Sequence, residues 1–393
     1  MPGSAAPLVY LDHNASSPLL ESALEAMRPW LGPDRAGNPS SVHAAGRAAR
    51  AAVDAARQRV AHAIGAATPN VRFTSGGTES NNLAVFGWAR LRSGTGRHVL
   101  TTPIEHSSIL APLRALESDG RVEIEMLRLD GAGRLSPGEF RSRLRSDTAF
   151  ACIGLANNEI GTVQPLEACA GAAREAGVPL HTDAVQALGK IRVDLRALGV
   201  SSAAFSAHKL GGPMGIGAIY VAPGTTLPPL LRGGGQEEGL RPGSTNVAGA
   251  VGFGAACEIA ARELGARRLL WSDLAAEIRS GIARLDARAR FNGPSDPLER
   301  IENTLNVAFP DTDGDALRIN LDLDGICVSA GSACASGSIE PSHVLLAIGL
   351  DAALARAALR VSLGPRSSAS DVTRFLHALA RSLSASRGGV GRS

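Results

Sequence analysis

Short apolar runs and segments with apolar residues at helical spacing alternate along most of the chain. The run at residues 149–156 is apolar at nearly every position, which is typical of a strand covered on both faces. Strand and helix alternation of this kind predicts an α/β fold with a mostly parallel central sheet flanked by helices. The predicted strands are residues 71–74, 98–102, 122–129, 149–156, 178–182, 203–206 and 217–221.

Two long segments have a helical pattern. Residues 21–64 are predicted to be helical, and Ser40 and Ser41 are suitable caps for the part that begins at Val42. The second long helix is predicted over residues 247–285. The glycine-rich stretch that precedes it, residues 232–246, is predicted to be a long loop, and such loops are often functional.

The pattern after Phe291 predicts a second, smaller α/β domain. We expect short strands at residues 305–309, 326–329 and 359–362, helices near 315–323 and 341–348, and a frayed tail after residue 382. This gives three parts. Residues 1–20 join the small domain, residues 21–262 form the large domain, and residues 263–393 form the small C-terminal domain.

Composition and charge exclude several classes of protein. The 393 residues include 40 Lys and Arg and 37 Asp and Glu, so the net charge of +3 disfavours nucleic-acid binding, which needs clustered excess cation. No apolar run reaches the ~18 residues of a membrane span, and the first residues do not resemble a secretory signal. Five cysteines without a CxxC pair disfavour a disulfide framework. We therefore expect a cytoplasmic protein without a membrane partner.

The basic residues are 38 arginines and only two lysines, Lys190 and Lys209. Where arginine supplies ordinary positive charge, a remaining lysine is a candidate for chemistry that needs a free amine, such as Schiff-base formation. Lys209 lies in SAHKLGGP directly after a predicted strand. Lys190 lies in GKIRVDL, a plainer amphipathic context, and is predicted to be a surface charge.

Other candidate residues also follow predicted strands. The SGGT turn places Gly77 and Thr78 at a helix start, where backbone N–H groups form an anion site. Asp183 ends another strand, where a carboxylate can hold a pyridine nitrogen protonated. His106 follows a third strand and is suited to ring stacking or proton transfer. Taken singly, each residue is equally compatible with an ordinary loop or helix cap.

Cys334 lies in SAGSACASGS, a loop of small residues. Accessible surroundings of this kind favour a reactive thiol. The remaining cysteines lie in apolar contexts and are predicted to be core residues: Cys152, Cys169, Cys257 and Cys327.

Together these residues make the chain resemble the cysteine desulfurases of the NifS/IscS type, which are fold type I pyridoxal-phosphate enzymes of the class V aminotransferase family. The resemblance extends from residue 10 to residue 365 and is specific because the motifs occur in combination and in order. The motifs are YLDHNAS, GNPSSVH, FTSGGTESNN, EHSSIL, ANNEIGTVQP, HTDAVQALGK, SAHKLGGP, GGGQEEGLRPGSTN and AGSACASG.

The resemblance implies a role for each matching residue toward pyridoxal 5'-phosphate (PLP). Lys209 would bind it covalently, Asp183 would pair with its ring nitrogen, and His106 would stack on its ring and assist proton transfer. The large domain would hold this cofactor. The other residues implied in cofactor binding are Gly77, Thr78, Ser206 and His208 for the phosphate, Asn158 and Gln186 for the ring oxygen and substrate, and Thr245 for the phosphate of the partner subunit.

The resemblance also implies the reaction. Arg360, helped by Asn158, would bind the carboxylate of L-cysteine. Cys334, carried by the small domain, would accept the sulfur as a persulfide and leave alanine. A homodimer and a sulfur-acceptor protein such as an iron–sulfur scaffold are implied partners, and Cys334 would be the residue to share a cluster iron with that scaffold.

Alternatives remain open at this point. A selenocysteine lyase or another class V PLP enzyme would share most of these motifs, and a non-catalytic protein could retain the fold alone. A dinucleotide-binding protein is a further α/β alternative, although no fingerprint for one is present. The sulfur acceptor could serve iron–sulfur assembly, tRNA thiolation or DNA sulfur modification.

Overall fold

The structure is a computed structural model that describes residues 8–33, 37–330 and 340–388. These residues form three sheets, of seven, three and two strands. The strands are β1 Val9–Tyr10, β2 Val71–Thr74, β3 His98–Thr101, β4 Glu123–Met126, β5 Thr148–Cys152, β6 Leu180–Asp183, β7 Ser202–Ser206, β8 Gly217–Val221, β9 Arg290–Asn292, β10 Thr304–Ala308, β11 Ile326–Cys327 and β12 Ala358–Ser362.

Helices flank the large sheet and also pack against the small sheet. They are α1 Glu21–Met27, α2 Ala44–Ala63, α3 Gly77–Leu91, α4 Ser107–Ser118, α5 Pro137–Arg143, α6 Leu166–Glu175, α7 Leu195–Leu198, α8 Val247–Leu285, α9 Gly314–Leu323, α10 His343–Ala347, α11 Ala352–Arg356 and α12 Ala369–Gly388. Among the described residues, no helix has the length and apolar character of a membrane span.

The seven-stranded sheet has the order β2-β8-β7-β6-β5-β3-β4. All neighbouring pairs from β7 to β4 are parallel, and only β8 runs antiparallel to its neighbours β2 and β7. The predicted α/β class with a mostly parallel central sheet is confirmed. The carboxyl ends of β2, β3, β5, β6 and β7 therefore meet at one edge of the sheet, where ligands of such folds bind.

The predicted helix over residues 21–64 is wrong in its middle. It is two helices, α1 and α2, separated by a turn and loop that contain Pro29, Pro33 and Pro39. Proline lacks the N–H that a helix interior needs and disfavours helical geometry in the residue before it. The cap of α2 is His43, whose Nδ1 accepts from the Gly46 N–H at 3.2 Å, and not Ser40 or Ser41.

The helix α8 has the predicted bounds, and it passes between two cores. Its first part packs Phe253 and Cys257 into the core of the large sheet. Its last part packs Trp271 and Ile278 into a second core, with β10, β12, α9 and α12. Between these parts, residues 261–266 contribute no buried side chain to either core in this fully described helix.

The N-terminal segment packs into the second core. β1 pairs in parallel with β11, and Val9 and Leu11 are fully buried among small-domain residues. This packing supports the division at residues 20 and 262, which remains a prediction.

The predicted frayed tail after residue 382 is wrong for the part that the structure describes. α12 continues to Gly388, and Leu383 is only 4% exposed in the second core. The sequence pattern also missed several elements of two to seven residues, which are too short to show a period: β1, β9, α5, α7 and α11.

Candidate active site

A cavity of about 640 Å³ opens at the carboxyl edge of the large sheet. Loops that follow β2, β3, β5, β6 and β7 form most of its wall, and β12 and the N-terminal segment close it from the small-domain side. Ten residues predicted from the sequence line it together: Gly77, Thr78, His106, Asn158, Asp183, Gln186, Ser206, His208, Lys209 and Arg360.

The start of α3 forms the anion-binding end of the cavity. Gly77 and Thr78 are its first two residues, so their backbone N–H groups have no intrahelical acceptor and lie at the positive end of the helix dipole. Ser206, at the end of β7, is adjacent, since a Cβ placed on Gly76 would lie 3.8 Å from its Oγ. A phosphate fits this combination of backbone and hydroxyl donors.

Asp183 ends β6 as a carboxylate held from two sides. The Val185 N–H donates to one oxygen at 2.9 Å, and Asn81 Nδ2 donates to the other at 2.7 Å. Both groups only donate to Asp183, so they fix the orientation of its carboxylate. A carboxylate held at this position fits a protonated ring nitrogen.

His106 is the N-cap of α4, and this fixes its ring. Its Nδ1 accepts from the backbone N–H of Ser108 at 3.1 Å and lies 2.7 Å from Ser108 Oγ. A nitrogen that accepts from a backbone N–H carries no proton, so the neutral ring carries its proton on Nε2.

Lys209 ends a single 3-10 turn, Ala207–Lys209, directly after β7. Its Nζ donates to the carbonyl oxygens of Asn14 at 2.8 Å and Ala15 at 2.7 Å. The amine therefore lies in the cavity wall, held against the N-terminal segment by neutral acceptors.

Arg360 lies in the middle of β12 and is fully buried. Its Nη2 forms an ion pair with Asp12 at 2.7 Å, and its Nη1 lies 3.5 Å from the carbonyl oxygen of Asn158. The guanidinium is thereby held in a fixed orientation in the wall of the cavity that Lys209 also lines, as a site for a substrate carboxylate requires.

The prediction that Lys190 is a surface charge is wrong. Lys190 is only 4% exposed, and its Nζ donates to Asn14 Oδ1 at 2.6 Å and to Gln186 Oε1. Burial, and next the nearby charges of Lys209 and Arg360, hold the pKa of this amine well below its usual range. Lys190 thus supports Gln186 from behind the cavity.

Asn14 joins the two domains at this point, and sequence reasoning assigned it no role. Its carbonyl oxygen accepts from Lys209 and Gln186, and its side chain contacts Lys190 and Thr304. The YLDHNAS motif was the available signal.

Buried acids on the outer wall were also missed. Burial raises the pKa of Glu105 to about 7, although Thr102 and Gly154 donate to its carboxylate. Burial also raises the pKa of Glu159, which accepts from Ser342 Oγ at 2.5 Å. His208 differs, because burial lowers its pKa to about 4 and makes it a neutral residue of the cavity wall.

One predicted residue, Thr245, does not line the cavity. Thr245 borders a separate space of about 30 Å³ beside Ser75 and Gly215, so it does not reach the cavity of its own subunit. Cys334 lies outside the described residues. Within the described part, no group of three or more His, Cys, Asp or Glu side chains is arranged to bind a metal.

The other cysteines are mostly core residues, as predicted. Cys152, Cys169 and Cys257 are buried, whereas Cys327 is partly exposed on β11. Burial raises the pKa of the Cys327 thiol.

These residues fit PLP. The cavity combines an anion site at α3, a carboxylate at Asp183, a histidine of fixed tautomer and a primary amine at Lys209. Comparison with known proteins identifies the family. The family model described as aminotransferase class-V matches residues 9–375.

A relative named cysteine desulfurase IscS, from Dictyoglomus turgidum, is 41% identical over 95% of this chain and 94% of its own. The chain belongs to the cysteine desulfurases of the class-V aminotransferase family. A solved structure described as a NifS-like protein superposes with a TM-score of 0.89 at 35% identity, covering 96% of this chain and 99% of the other. The structure described as SspA in complex with cysteine gives a TM-score of 0.78 at 35% identity, covering 91% and 99%.

The family membership decides between an enzyme of this family and the other classes of protein considered from the sequence. The desulfurase is an enzyme, so the non-catalytic and dinucleotide-binding alternatives are wrong. The family is one of PLP enzymes.

Proposed function

We propose that this desulfurase binds PLP in the cavity and converts L-cysteine to L-alanine, with transfer of the sulfur to Cys334. The observation that carries the proposal is that Lys209, Asp183, His106, Arg360 and the α3 anion site line one cavity.

The cofactor would be held at three points. Gly77, Thr78, Ser206 and His208 would bind the phosphate, and Lys209 would bind the cofactor covalently through its amine. Asp183 would pair with the ring nitrogen. When bound, PLP supplies an electron sink for bonds broken at the amino-acid substrate.

The protein would supply orientation and proton transfer. The face of His106 would pack on the ring, with its proton kept on Nε2 by the Ser108 N–H at Nδ1. Gln186, oriented by Lys190, and Asn158 would contact the ring oxygen. The Lys209 amine, once released, would be able to hold or move a proton beside the substrate's α-carbon.

Arg360 and Asn158 would bind the substrate carboxylate. Arg360 is prepared for this because Asp12 occupies Nη2 and fixes the plane of the guanidinium. A planar fork of donors matches a carboxylate better than an ammonium group does.

Cys334 would act as the sulfur acceptor. In the overall transfer, the carbon–sulfur bond of L-cysteine breaks and a sulfur–sulfur bond to Cys334 forms. The Cys334 thiol becomes a persulfide and gives up its proton. The carbon that loses the sulfur gains one proton, so one alanine forms for each sulfur transferred. The persulfide would then pass to a sulfur-acceptor protein, such as an iron–sulfur scaffold, in the cytoplasm.

Thr245 supports a homodimer in this proposal. Because it lies away from its own cavity, it would reach the phosphate of the partner subunit. Light scattering combined with size exclusion should give twice the mass of 40.4 kDa. A monomer with full PLP content would remove Thr245 from the phosphate site.

The test is an absorption spectrum of the purified protein with PLP, before and after L-cysteine and a reductant, with alanine and sulfide assayed together. Equal amounts of both products support the proposal. A yellow protein that releases selenide from L-selenocysteine, and no sulfide from L-cysteine, would favour the selenocysteine lyase instead.

Two variants separate the roles. Cys334→Ser should keep the visible absorbance and lose persulfide formation, whereas Cys327→Ser is the matched control and should keep both. Lys209→Ala should lose the visible absorbance of covalently bound cofactor. Sulfide release by Cys334→Ser at the wild-type rate would remove Cys334 from the mechanism.

A further inference from the structure

A chain of buried side chains lies behind the cavity and joins the two groups that face the cofactor ring. It consists of Trp88, Ser202, His181, Asn81 and Ser108, all less than 7% exposed. Asn81 is the branch point, because it contacts Asp183, Ser108 and His181.

The chemistry of the partners fixes the orientation of the Asn81 amide. The Asp183 carboxylate only accepts, so the atom 2.7 Å from it is Nδ2. The second Nδ2 hydrogen goes to Ser108 Oγ at 2.8 Å. Oδ1 is left to face His181 Nε2 at 3.0 Å, so that nitrogen carries the proton of the ring.

The other end of the chain agrees with this direction. Trp88 Nε1 only donates, and it lies 2.9 Å from Ser202 Oγ. The Ser202 hydroxyl hydrogen therefore points to His181 Nδ1 at 2.9 Å, which accepts. Burial lowers the pKa of His181 to about 3, so the ring is neutral and carries one proton.

The branch from Asn81 reaches His106 as well. Ser108 Oγ accepts from Asn81, so its own hydrogen is directed to His106 Nδ1 at 2.7 Å. All hydrogen bonds of the chain thus run in one sense, from Trp88 toward the cavity. They end on the two side chains proposed to contact the ring.

We infer that Asn81 is a positioning residue that holds Asp183 and, through Ser108, His106 in fixed relation to the cofactor ring. This inference rests on the proposed function, since it assigns both end groups to PLP. Asn81 itself does not contact the reacting atoms in this role.

The test uses the full-length variants Asn81→Leu, Asn81→Ser and Ser108→Ala. Leucine preserves the volume and removes every hydrogen bond, whereas serine keeps a hydroxyl donor. The matched control is Asn292→Leu, which removes a buried amide bonded to Asn306 at 2.7 Å on the small-domain sheet. The readouts are the dissociation constant of PLP and the circular dichroism of its visible band, which reports ring orientation without turnover.

Asn81→Leu should weaken PLP binding about tenfold, the effect of one charge-assisted hydrogen bond, and should reduce the dichroic band. Ser108→Ala should weaken binding about threefold. Together, Asn81→Leu and Ser108→Ala should cost less than the product of the single effects, because they interrupt one network. Asn292→Leu should leave both readouts at the wild-type values.

Wild-type binding and dichroism in Asn81→Leu would overturn the inference while leaving the proposed function intact. If the wild-type protein itself binds no PLP, the proposed function fails first. If Asn81→Leu does not fold, the smaller substitutions Asn81→Ser and Ser108→Ala decide, and wild-type readouts in both would equally overturn the inference.

Discussion

Lys190 offers a sharp test of the structure, because its amine is buried and its hydrogen-bond acceptors among the described residues are uncharged. These acceptors are the amide oxygens of Asn14 and Gln186. Burial lowers the native pKa of the amine well below 10.5, and Lys209 and Arg360 lower it further. In the unfolded chain the amine returns to about 10.4.

This difference makes stability depend on pH in a known direction. Between the native pKa and about 10, the unfolded chain binds a proton that the native protein does not. The free energy of unfolding therefore rises with pH across this window, by up to about 1.4 kcal/mol per pH unit from this one group. Lys190→Met removes the titrating amine and, with it, this contribution.

The assay is urea unfolding of wild-type protein and Lys190→Met at several pH values from 7 to 10, with the cofactor content matched. The difference in free energy of unfolding, wild type minus variant, should become more positive as the pH rises. Arg192→Met is the control, since it removes a basic side chain that is 85% exposed and not buried. Parallel pH dependence in wild type and Lys190→Met would refute the burial of an uncharged amine at this position.

Three further predictions concern the cavity wall. Arg360→Lys should raise the KM for L-cysteine about 10- to 100-fold with a smaller change in kcat, because an ammonium group cannot bind Asp12 and a substrate carboxylate in bidentate geometry. Gly217→Ala should lower both the Tm and the PLP affinity, since its Cβ would lie 2.6 Å from Gly76 Cα beside the phosphate site. Glu105 has a raised native pKa, so the free energy of unfolding of the wild type should fall as the pH rises from about 4 to 7. Glu105→Gln should remove this fall, and urea unfolding at pH 5 and 7 measures it.

The central strands of the large sheet were the most predictable, because burial on both faces makes strands such as β5 a short apolar run. β8 is such a run, Gly217–Val221, although its antiparallel direction was not visible in the pattern. The break between α1 and α2 was missed because apolar spacing continues across it. The small-domain edge strand Arg290–Asn292 was missed because it has a single apolar residue.

The site was predictable where chemistry follows a strand end, as at Asp183, Lys209 and His106. It was not predictable where distant segments meet. Lys190 looks amphipathic in its local sequence, and only folding brings Asn14, 176 positions away, over its amine. The branch at Asn81 was hidden for the same reason, since Asp183 is 102 positions from it.

The continuous course of α8 through both cores limits how this protein can be dissected. At about 1.5 Å per residue, its 39 residues extend about 58 Å, and this one helix belongs to both cores. Division of the chain between residues 262 and 263 would leave each fragment with one part of α8. Apolar side chains that are buried in the intact protein, such as Phe253 and Trp271, lie on these parts. The small domain would also lose Val9 and Leu11, which the other fragment would carry. Complementation from two such fragments would require α8, the small-domain sheet and the N-terminal segment to reassemble together. A split reporter built on this chain is therefore better divided in an exposed loop than at its domain boundary.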